Sequence, residues 1–201
     1  MNEKQQRQEE HQQDGQRERS EQVQDSWPRI YVASLSDYNA GRLHGAWLDA
    51  HQEPEALLAG ISAMLAASPE PGAEEWAIHD CEGFGAVCLS EYETVETVSK
   101  LAKGIAIHGP AFAAWAAHLG PGYDDLERFD DCYQGHFDSL TSYGNDFLEA
   151  LGLAEIIERH VPAELVAYVK IDGEAFGRDL ALSGDVTVVE DEGGGVFVFG
   201  P

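Results

Sequence analysis

The stretch Ile30-Tyr-Val-Ala-Ser-Leu-Ser-Asp-Tyr-Asn-Ala-Gly-Arg-Leu-His-Gly-Ala-Trp-Leu-Asp-Ala50 decides how the chain begins to fold. Residues 30–35 form a short, mostly apolar run and read as a strand; residues 37–42 have the composition of a loop, and 45–50 supply a second strand. Working outward, Pro54 suits the first turn of a helix in which Leu57, Leu58, Ile61, Met64 and Leu65 make one apolar face. Pro69, Pro71 and Gly72 end it. Residues 75–81 read as a third strand broken by Gly83 and Gly85, with a further short strand at 86–89. Residues 28–92 are thus expected to form an α+β unit, a small sheet carrying one helix.

From residue 93 the period becomes helical. Val95, Val98, Leu101, Ala102 and Ile105 give one face, and Phe112, Trp115, Ala116 and Leu119 another between Pro110 and Gly120. In Tyr123-Asp-Asp-Leu-Glu-Arg-Phe-Asp-Asp131, Leu126, Phe129 and Tyr133 recur at helical spacing. Asp124, Glu127 and Asp131 then face outward with Asp125 and Asp130 on the flanks, and Arg128 can pair with Asp124. Residues 93–133 are therefore expected to be a helical unit, a small bundle. Beyond it, Leu140, Phe147, Leu148 and Leu151 suit a helix at 138–151 capped by Asp138 and stopped by Gly152. A short helix at 153–160 carries Glu155 and Glu158, and Pro162 starts another at 162–170. Residues 185–190 and 196–199, joined by an Asp-Glu-Gly-Gly-Gly turn, make a hairpin and complete an α+β unit at 134–201. The expected fold class is α+β, three small units in tandem.

Charge limits function. The 201 residues hold 37 Asp and Glu against 12 Lys and Arg, a net charge of −25. Such a chain is repelled by nucleic acid and by anionic membranes, so neither is expected as a direct partner. Its apolar fraction of 43% can still fill a core. No apolar signal segment or spanning run is seen, so a cytoplasmic location is expected. Residues 1–27 are rich in Gln and charge and read as a disordered tail. Without the first 26 residues, 30 acids and 8 bases remain, a net of −22, so the excess belongs to the folded part. Like charges at helical spacing cost a few tenths of a kcal/mol per pair, which leaves solubility or a cationic partner to explain them.

Catalytic signatures are weak. There is no G-x-x-x-x-G-K-[ST] phosphate loop and no G-x-S-x-G elbow. Cys81, Cys88, Cys132 and His136, or His79 in place of one, offer zinc-type ligands without the C-x₂₋₄-C spacing, and free Cys is usually a small buried hydrophobe. No metal, cofactor or catalytic residue is assigned. Trp27, Trp47, Trp76 and Trp115 are expected to anchor the core.

The stretch 30–50 resembles the opening of the ArdA antirestriction proteins. Glu74-Glu-Trp-Ala-Ile-His-Asp80 with Tyr92, and Ala175-Phe-Gly-Arg-Asp-Leu-Ala-Leu-Ser-Gly184, resemble that family's later signatures. Cys81 and Cys88 lie outside the pattern. The resemblance implies a non-enzymatic inhibitor of Type I restriction–modification enzymes, elongated, homodimeric through its C-terminal unit, whose carboxylates imitate the phosphates of bent B-form DNA and occupy the enzyme's DNA-binding groove. Candidate phosphate mimics are Asp124, Asp125, Glu127, Asp130, Asp131, Glu149, Glu155 and Glu158; Tyr38, Asn39, Gly41, Trp47, Trp76 and Asp80 are expected to build the turn and core of the first unit. Duplex DNA carries one charge per about 1.7 Å, so thirty carboxylates at that density cover about 50 Å. A compact globule of this size is only about 40 Å across, which favours an extended shape. Two other readings fit the charge: an acidic adaptor for another basic DNA-binding protein, and a salt-adapted acidic enzyme.

Overall fold

The computed structural model describes residues 27–201; apart from Trp27, the tail expected at 1–27 lies outside the described residues. The chain is mixed α+β and divides into two compact units, one ending at Gly109 and the other running from Pro110 to Pro201. The segment 93–133, expected as a helical unit, contributes to both.

In the first unit, β1 (Arg29–Ser34) lies between β2 (Gly45–Asp49) and β3 (Trp76–Glu82) in an antiparallel sheet. Tyr31 faces Trp47 on one side and Asp80 on the other, and the β1/β3 register shifts between Tyr31 and Val32. Ile30, Val32 and Ala33 are buried, as are Leu57, Ile61 and Met64 of α2 (Pro54–Ala66), which packs on β1 and β2. The apolar face of α2 is narrower than its sequence implies, since Leu58 is exposed. The strand expected to 35 ends at Ser34, and the start of the loop expected at 37–42 falls in a short helix, α1 (Leu35–Asn39), which Ser34 caps by accepting the Asp37 N–H. The strand expected at 86–89 is absent. Phe84 and Val87 are instead buried side by side in a turn closed by the Val87 N–H on the Phe84 carbonyl at 3.1 Å. Thr94 caps α3 (Val95–His108), whose Val95, Val98, Leu101 and Ala102 are buried as the period requires.

The second unit opens with α4 (Pro110–Leu119), which buries Phe112 and Trp115. The single acidic helix expected at 123–133 is broken into a 3-10 turn (Leu126–Arg128) and the short α5 (Phe129–Cys132). The chain then leaves helical geometry at Tyr133 for an unforeseen strand, β4 (Tyr133–Phe137). Tyr123 and Asp125 sit at positive φ, which interrupts any regular helix there. The apolar stripe still points inward. Phe129 lies 5.2 Å from Phe112 and stacks at 5.0 Å on Tyr133, and Phe199 lies 5.0 Å from Trp115. The hairpin is as expected: β5 (Thr187–Glu190) pairs with β6 (Val196–Phe199), and β4 joins β6 to give the antiparallel order β4-β6-β5.

Two helical readings change in this unit. In α6 (Leu140–Ala150) the buried residues are Tyr143 and Gly144, while Phe147 and Leu151 are exposed; the cap is Ser139, which accepts the Ser142 N–H, and not Asp138. The helix from Pro162 is one turn only, α8 (Ala163–Val166), after α7 (Leu153–His160). The stretch with the third signature forms α9 (Gly173–Ser183), capped by Asp172. The inward turn of α6 follows from its crossing with α9, where glycines replace side chains. A Cβ on Gly144 would overlap the Gly173 carbonyl, and one on Gly177 would come within 2.6 Å of the Leu140 carbonyl.

Of the tryptophans, only Trp115 is buried. Trp47 lies on the sheet's outer face, 5.5 Å from Tyr31 and under the Arg29 guanidinium, and Trp27 packs on His51 before β1 begins. Tyr38 and Asp80 are likewise exposed, so they are not core residues of the first unit.

Candidate partner-binding surface

The distribution of charge follows from which side chains the core consumes. Residues 27–109 carry 12 acids and 4 bases, and residues 110–201 carry 18 acids and 4 bases, net −8 against −14. In the second unit every carboxylate except Asp191 is exposed.

The segment 123–132 shows how the sequence produces this display. Tyr123, Leu126, Phe129 and Cys132 are buried, three residues apart, and pin one side of the backbone to the aromatic core. Asp124, Asp125, Glu127, Asp130 and Asp131 fill the intervening positions and are all exposed. Arg128 meets Asp125 at 4.0 Å rather than Asp124, because the backbone turns at the positive φ of Asp125. An exposed pair of this kind contributes about 0.2–1 kcal/mol. The other candidates lie elsewhere in the unit. Glu149 is near the C-terminus of α6, and Glu155 and Glu158 are on α7, whose residues are all at least partly exposed. Glu155 sits in the first turn of α7, where the helix dipole favours a negative charge. The eight candidates thus fall on two stretches of one unit, five on the first and three on the second. Sequence reasoning passed over Asp138, Asp146, Asp179 and Glu190, which are as exposed as the eight.

Asp37 is the exception among the carboxylates. It is fully buried and accepts from the Ser68 hydroxyl at 2.5 Å and from Arg42 Nε at 3.2 Å. Arg42 in turn pairs with Glu70. The Ser68 hydrogen bond, with those of Ser34 and Arg42, holds the Asp37 carboxyl below its ordinary range despite desolvation. The network ties α1 to the segment after α2 and is structural. Cys132 and His136 do not share a helix: Cys132 ends α5 in the core, whereas His136 is on β4 and meets Asp191 at 3.1 Å. Among the described residues, no three His, Cys, Asp or Glu side chains converge as a metal site, and no helix is long and apolar enough to cross a membrane.

Fold and surface together describe an acidic α+β protein whose chief chemical asset is displayed negative charge. Residues 30–193 match the family described as Antirestriction protein (ArdA), and the chain belongs to that family. Membership implies antirestriction function through interaction with restriction–modification enzymes, in a family of inhibitors not known as enzymes. No curated protein sequence matches the chain significantly.

Proposed function

We propose that the protein inhibits Type I restriction–modification enzymes by filling their DNA-binding groove with carboxylates that stand in for the phosphates of B-form DNA. The observation that carries this reading is the near-complete exposure of the carboxylates in residues 110–201, where four cations offset eighteen acids. Lys and Arg side chains placed to meet phosphates attract carboxylates at similar density, giving steered, fast association. Asp124, Asp125, Glu127, Asp130 and Asp131 form one contact stretch, and Glu149, Glu155 and Glu158 a second.

The active form is a homodimer, which doubles the number of carboxylates presented to the enzyme. The apolar side chains left exposed in the second unit support this: Leu151, Ile156, Leu165, Tyr168 and Leu182 are each about half or more exposed. Such side chains offer apolar area that a second copy can bury.

The test is competition. Added protein should displace a DNA duplex from a Type I enzyme and block its cleavage at low salt, with the effect fading as salt rises. An enzyme that binds and cuts DNA equally well at low salt with the protein in excess overturns the proposal. Inhibition that is indifferent to salt would rule out charge mimicry while leaving antirestriction itself intact.

A further inference from the structure

Cys81 and Cys88 are the two cysteines outside the core, one half-buried and one exposed. Cys81 is the penultimate residue of β3, an edge strand. Past Glu82 the chain turns at Gly83 and Gly85, both at positive φ, and Phe84 and Val87 plug the turn into the core. It then returns along the free edge of β3, where the Ile78 N–H donates to the Glu91 carbonyl at 2.9 Å. That bond ties the two arms together three residues before Cys81 and three after Cys88, so both cysteines sit on the arms of one short turn. A disulfide between them needs their Cα atoms to come within roughly 4.4–6.8 Å of each other.

We propose that Cys81 and Cys88 are an oxidative modification site, a dithiol that closes reversibly into a disulfide and fastens the 82–87 turn to the edge of β3. The co-reactant is a low-molecular-weight disulfide such as oxidised glutathione. The exposed Cys88 thiolate attacks one sulfur of it, and one glutathione thiolate leaves. The Cys81 thiolate then attacks Cys88 Sγ and expels the second glutathione, so two protein thiols are oxidised as one disulfide is reduced to two thiols. Burial pushes the Cys81 thiol up, and Asp80 and Cys88 add to that rise, so the two sulfur groups sense one another. The closing step therefore speeds up with rising pH, because Cys81 must ionise to attack.

The full chain is treated with oxidised glutathione under native conditions and followed by intact mass and peptide mapping. Wild type should lose two hydrogen atoms, with 81 linked to 88, Cys132 free, and recovery on adding dithiothreitol. Cys81→Ser should stop at a glutathione adduct on Cys88. Amide hydrogen exchange over residues 83–90 should be slower in the oxidised form than in the reduced one. A wild-type protein that also stops at the adduct, links Cys132, or shows unchanged exchange over 83–90 when oxidised overturns the proposal.

Discussion

At the scale of single residues, the two chemically distinct carboxylate environments make opposite predictions. Asp37 is buried and held ionised by Ser68, Ser34 and Arg42. Because its folded pKa lies below the unfolded one, its contribution to stability is present above the ordinary carboxylate range and disappears as pH falls through the depressed value. Thermal melts of the full chain from neutral to acid pH should show this loss, and Asp37→Asn should melt lower at neutral pH with a shallower fall in acid. An Asp37→Asn protein with the wild-type melting profile would mean that the network is dispensable. Asp124 or Asp131 behaves otherwise, being exposed and embedded among like charges. A single change to Asn there should leave the melting temperature unchanged or slightly raised. It should weaken inhibition by less than about fivefold, the equivalent of roughly 1 kcal/mol for one exposed charge. Phe129 ranks with the core: truncation to Ala should cost about 3–5 kcal/mol in denaturant unfolding and disturb the acidic segment it anchors.

At the scale of elements, the crossing of α6 and α9 is the most constrained contact in the second unit. Backbone meets backbone there, so neither Gly144 nor Gly177 can gain a methyl group without the helices moving apart. Alanine would normally favour a helix over glycine by about 1 kcal/mol. Here Gly144→Ala should reverse that sign and destabilise by at least the roughly 1–3 kcal/mol of an overpacked core, measured by urea unfolding. A stabilised Gly144→Ala variant would refute the close crossing. The same element explains a misread face. Leu140, Phe147, Leu148 and Leu151 satisfy the helical period, but the glycine seam draws the Tyr143 and Gly144 side of α6 inward and leaves Phe147 beside Phe176 at the margin.

At the scale of the whole molecule, the relevant quantity is summed charge rather than any one contact. Changing all five of Asp124, Asp125, Glu127, Asp130 and Asp131 to their amides should weaken inhibition far more than the single changes and flatten its dependence on salt, read from competition curves at several ionic strengths. The far-ultraviolet circular dichroism should be unaltered, since these side chains lie outside the core. Full inhibition by the fivefold variant would shift the binding surface to other carboxylates. Net charge is asymmetric between the units, so the salt dependence should respond more to neutralisation in residues 110–201 than to a matched number of changes in 27–109.

The sequence by itself determined the α+β class, the first sheet with its helix, the C-terminal hairpin and the family, because each rests on local period, turn chemistry or ordered motifs. It also determined that the acids flanking Leu126 and Phe129 face water, since the apolar stripe settles which side goes in. Tertiary structure alone decided that the acidic helix breaks and passes into β4, where the chain pairs with β6, a partner about 60 residues away. It decided likewise that α1 forms around a buried Asp37 whose partner Ser68 is 31 residues away. Such contacts bring together residues distant in sequence, and no local period records them.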